Sequence, residues 1–163
     1  RADARARLRG FQLSDNGQTP DASQEAAEDP VSVLRTAARE AGSNRETRRE
    51  VGELAAVIAS GKTEVEEDPY VAAERLVDQV NGLEEQDRQE VILGTQAFVV
   101  DLLDAAGRTT DPEGRARIHA WLQSYANMLA ESTIANEPRI DLVTRAIDAA
   151  VKKNTDRTGV TTP

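Results

Sequence analysis

LEEQDRQEVILGTQAFVVDLLDAAG, residues Leu83–Gly107, is the longest and most apolar stretch of an otherwise polar chain. At helical spacing, Val91, Thr95, Phe98, Val99, Leu102, Leu103 and Ala106 form one broad stripe, widened by Ile92, Leu93, Ala97 and Val100. A helix this apolar has to be covered by neighbours, so the spacing predicts a central helix. Several amphipathic partners are needed to surround it.

The flanking sequence supplies them. Asp29 followed by Pro30 starts a helix with Leu34, Ala37, Ala38 and Ala41 inward and Gly42 as its stop. Ser43 with Glu46 reads as a capping box for a second helix carrying Val51, Leu54, Ala55 and Ile58 to Gly61. Asp68-Pro69 opens a third, with Ala72, Leu76, Val80 and Leu83 on one face and Asn81-Gly82 as the turn into the central helix. Asp111-Pro112 opens a fifth with the clearest stripe, Ile118, Trp121, Leu122, Tyr125, Met128 and Leu129. Asn136 and Pro138 precede a sixth with Val143, Ala146, Ile147, Ala150 and Val151 inward. No sustained alternation indicates a sheet. The Asp-Pro starts at Asp29, Asp68 and Asp111 divide this region into three helical hairpins that share cap chemistry but no side-chain signature, which favours a bundle over a solenoid.

Composition narrows the class. With 163 residues, 3% aromatics and no cysteine, the core must be mainly Ala, Leu, Val and Ile, and disulfides and thiolate metal sites are excluded. No segment approaches the ~20 apolar residues of a membrane-spanning helix, so the chain reads as soluble and without a membrane span. A net charge of −9 disfavours nucleic-acid binding over the whole surface while leaving a local basic face open. The chain begins at Arg1 with no signal-peptide pattern and is expected to be a processed product or a fragment of something longer.

Few motifs carry chemistry. Gly61-Lys62-Thr63 resembles the end of a phosphate-binding loop, but the earlier glycine that pattern requires is Ala56, and Glu64, Glu66 and Glu67 follow. It reads as a helix C-cap and an exposed linker. Asp15-Asn16-Gly17 fails as a calcium loop, because aligning Gly17 puts Gln12 and Ser23 at the first and twelfth positions, where carboxylates are needed. Asp101 and Asp104, one turn apart, read as a solvated or partner-facing edge, with Asp104 able to pair with Arg108. His119, the single histidine, reads as a packed, hydrogen-bonded structural residue. No residue is assigned to catalysis, to a cofactor or to a metal.

AAREAGSNRETRREV, residues Ala37–Val51, resembles the helix-turn-helix units of bacterial repressors. Ala38, Ala41-Gly42, Thr47 and Val51 stand where that family places its small residue, turn, recognition-helix threonine and core anchor, in surroundings made basic by Arg35, Arg39, Arg45, Arg48 and Arg49. The resemblance implies DNA contacts from Arg45, Thr47, Arg48 and Arg49. It departs at Ser43 and Arg48, which put polar groups where the two helices of the family pack.

Together these features predict an all-α bundle of about six helices over residues 29–153, with an extended polar arm at 1–28 and a polar C-terminal tail at 154–163. The expected function is that of a non-enzymatic structural or protein-interaction component of a larger assembly, such as a virion or similar particle, docking through its terminal arms. Arg5, Arg7, Leu8, Arg9, Phe11 and Leu13 are its expected contacts. The partners would be other protein subunits or copies of the chain itself. The alternative is a DNA-binding regulator using residues 37–51.

Overall fold

The computed structural model describes residues 29–42, 44–61 and 68–158, with side chains as far as 155. Within them lie six helices and no strand: α1 Pro30–Arg39, α2 Arg45–Ser60, α3 Pro69–Gly82, α4 Glu85–Arg108, α5 Pro112–Ala130 and α6 Pro138–Thr158. The chain divides into two units after Ser32. Only the start of α1 is described in the first, and all packing below concerns the second.

Local chemistry places the helix starts. The Asp68 carboxylate accepts the Tyr70 N–H at 2.8 Å and Asp111 accepts the Gly114 N–H at 3.1 Å, each with a proline in the first turn, where its missing N–H costs nothing. At α2 the cap is Asn44, whose Oδ1 accepts the Thr47 N–H at 2.8 Å, and not the Ser43 of the expected capping box. The helix begins one residue later than that box requires, so Glu46 falls at the second helical position rather than the third. Gly61 ends α2 at φ 76°, donating its N–H to the Ile58 carbonyl; an added Cβ would lie 2.9 Å from Arg117 Nε. Arg117 uses this gap to donate to the Ala59 carbonyl at 2.7 Å, tying α5 to the end of α2.

Helices α4 and α5 form the centre. They pack on each other, and α2, α3 and α6 each pack on both. Contact between α2 and α5, which belong to the first and third hairpins, is a bundle arrangement, since a solenoid joins only neighbouring repeats. Leu102, Ile118, Leu122, Val143 and Ile147 are completely buried, each contributing roughly 1.5–3 kcal/mol relative to an exposed position. Over them sits an aromatic group: the Phe98 ring lies 6.2 Å from Trp121 at 63° and 6.1 Å from Tyr125 at 57°.

Three expectations are corrected. Leu83 is exposed beyond the end of α3, so the inward face of that helix is Ala72, Ala73, Leu76 and Val80. Gln96, outside the expected stripe, is fully buried; its Oε1 accepts from Arg139 at 3.4 Å, while its Nε2 has no partner. The last helix continues to Thr158, into the region read as tail, with Thr155 Oγ1 donating to the Val151 carbonyl at 3.1 Å. Lys152 and Lys153 are exposed, because a helix whose inward face has ended can continue with solvated polar side chains. Among the described residues, no helix is long and apolar enough to cross a membrane.

Candidate functional site

Helices α2 and α3 both lie against α4 and α5, yet among the described residues they make no close backbone approach to each other. An open cleft of about 460 Å³ lies between them. Val51, Leu54, Leu76, Val91, Phe98 and Tyr125 give it an apolar lining, and Thr47, Glu50, Arg75 and Gln79 add polar groups. Leu54, Val91 and Phe98 are only half-buried, although each belongs to an apolar stripe. Sequence periodicity placed them in the core because it reports that a face is apolar and not what covers it. Here part of that face lines a cleft instead of meeting a helix.

A second, charged groove of about 440 Å³ lies between α1, the start of α2 and α4. Arg35, Arg39 and Arg48 line it opposite Asp101 and Asp104. Arg35 forms an ion pair with Asp104, which takes the place of the expected Asp104–Arg108 pair. The partner comes from a neighbouring helix, while Arg108, in the last turn of α4, is exposed and favourably placed at the negative end of the helix dipole.

Gly42 sits at φ 69° between α1 and α2, as a tight turn requires, and Val51 is buried. Arg45, Thr47, Arg48 and Arg49 are all exposed, so Arg48 does not come between packed helices as the sequence implied. Arg49 is engaged on its own helix, 3.0 Å from Glu53 and 4.0 Å from Glu46. Thr47 lines the apolar cleft and Arg48 the charged groove, so these two neighbours are divided between different surfaces. Ser43 and the arm residues Arg5, Arg7, Leu8, Arg9, Phe11 and Leu13 lie outside the described residues.

His119 is buried on α5, and burial followed by the nearby Arg115 charge lowers its pKa below 6.5. Its Nδ1 is buried with no hydrogen-bond partner, so the expected packing is present but that nitrogen is unsatisfied. Among the described residues, no group of three or more His, Asp or Glu is placed to hold a metal. Compared with protein families, curated proteins and solved structures, the chain matches none.

Proposed function

We propose that this chain is a non-enzymatic protein-interaction component of a larger assembly, docking through its terminal arms onto other subunits or copies of itself. The observation that carries the reading is the apolar cleft between α2 and α3. Half-buried Leu54, Val91 and Phe98 keep carbon surface in contact with water, and covering such surface is what favours association of proteins. The polar groups around an apolar floor follow the usual anatomy of a recognition surface. Residues 1–28 supply a complementary element, with little apolar content beyond Leu8, Phe11 and Leu13, the composition of a segment that gains its contacts from a partner.

The DNA-binding alternative draws on the exposed Arg45, Arg48 and Arg49. Against it, Glu46, Glu50 and Glu53 share the same helix, leaving α2 with no net positive charge to release counterions from a duplex.

The test is sedimentation of the full chain through a gradient in native extracts of the cells that make it. Most of the chain should travel with material far heavier than a monomer, and a variant with Leu8, Phe11 and Leu13 changed to Ser should travel as the free chain. A full-length chain recovered only as monomer would overturn the proposal.

A further inference from the structure

We infer that the α2–α3 cleft is the receptor for the Leu8–Leu13 segment of a second copy of this chain. The inference rests on the assembly reading above and adds the surface on which the arm lands.

The cleft is open where packing would allow it to be filled. Gly94 lies on its wall in the middle of α4, and a Cβ added there would meet nothing within 4 Å. A mid-helix glycine costs ~1 kcal/mol relative to alanine, and here neither a close neighbour nor a positive φ calls for it. Its effect is to leave the helix backbone bare beside Val91 and Phe98, giving an incoming side chain room to lie against the floor. Phe98 and Tyr125, both on that lining, offer aromatic surface that suits a phenyl ring such as that of Phe11.

Charge favours the arm as occupant. Arg1, Arg5, Arg7 and Arg9 against Asp3 give residues 1–10 a net charge of +3. Residues 1–28 together carry four arginines and five acids, so −8 of the chain's −9 belongs to residues 29–163. Two charged residues line the cleft, Arg75 on the α3 side and Glu50 on the α2 side, and Glu50 has no ion-pair partner among the described residues, whereas its neighbours Glu46 and Glu53 share Arg49. An arginine flanking Leu8 can pair with Glu50 at the α2 edge of the cleft.

Reach and composition agree with this assignment. Leu8, Phe11 and Leu13 are the only large apolar residues in 1–28, and 15 residues separate Leu13 from Asp29. A chain segment of that length spans up to about 50 Å when extended, enough to cross to a neighbouring copy. Reciprocal exchange of arms would close a dimer, and onward exchange would build an open array.

The test uses a synthetic peptide of residues 1–16 as ligand. The receptor is the full chain with Leu8, Phe11 and Leu13 changed to Ser, so that its own arm does not compete. Trp121, the only tryptophan, stacks on the cleft residue Tyr125 and reports binding by fluorescence, since the peptide has no tryptophan. Saturable binding is expected, at least tenfold weaker in Gly94→Leu, which fills the cleft while favouring helix, and several-fold weaker in the surface variant Glu50→Lys. Circular dichroism of both receptors should match the parent. No binding, or equal affinity for the parent, Gly94→Leu and Glu50→Lys receptors, would overturn the inference. If the chain still sediments with heavy material in that event, the assembly reading stands and only the receptor is wrong; a monomer in extracts removes both.

Discussion

Trp121 and Tyr125, one turn apart on α5, stack with ring centroids 5.5 Å apart and planes 15° from parallel. Trp121 belongs to the buried core, and Tyr125 is both buried and part of the cleft lining. The stack therefore joins the residues that hold the bundle together to the surface assigned to recognition, and Phe98 of α4 touches both rings.

Removing the centre of this group should be costly. Trp121→Ala is expected to lower stability by about 3–5 kcal/mol and Leu102→Ala by about 2–5 kcal/mol, from lost transfer energy plus the cavity left behind. Urea denaturation followed by circular dichroism measures both. A loss near zero at Leu102, which is completely buried, would contradict the packing described.

His119 makes stability depend on pH with a definite sign. Its folded pKa lies below the unfolded value of 6.5, because burial and Arg115 both disfavour the imidazolium. The unfolded chain therefore binds the proton more readily, and stability rises with pH through the window from the lowered folded value up to about 6.5. Above that window the contribution is flat. His119→Gln should lose this slope. Parallel denaturant titrations of both proteins across the window check it, and identical slopes would refute the assignment.

Ion pairs of different burial should differ in worth. Arg88 links the first turn of α4 to Glu137 before α6, and its side chain and that of Glu137 are 31% and 21% exposed. Glu137→Ala should cost about 1 kcal/mol or somewhat more, since it leaves a half-buried guanidinium without its main partner. Glu53→Ala, which removes the exposed partner of Arg49, should cost only about 0.3–0.5 kcal/mol. Thermal or urea unfolding of the two variants gives the comparison.

Duplex DNA should not be a ligand. At low salt, where nonspecific binding is strongest, fluorescence anisotropy with a labelled duplex is expected to show no binding by the full chain, nor any change when Arg45, Arg48 and Arg49 become Ala. Salt-sensitive binding that those substitutions abolish would move the function to the helix-turn-helix reading.

The helices were legible because their starts are written in local chemistry. Asp68-Pro69 and Asp111-Pro112 each combine a side-chain acceptor with a preset φ, and both begin helices. Asn44 was missed because Ser43 with Glu46 fits an equally good local cap, and the choice between two adjacent capping residues is not written in their side-chain types. Gln96 was missed because a polar residue carries no apolar signal, and it is buried by the position it takes on α4 with Arg139 of α6 beside it. The cleft was hidden for a related reason. Leu54, Val91 and Phe98 have the same periodicity whether a helix covers them or leaves them open.

Arm-mediated docking between copies is read out by sedimentation velocity of the purified full chain at rising concentration. A mass above the monomer that grows with concentration is expected, with a strictly monomeric Leu8, Phe11, Leu13→Ser variant of unchanged helix content and melting temperature. A parent chain that stays monomeric throughout would contradict docking onto copies of itself, and a variant that associates as the parent does would contradict the arm as the docking element.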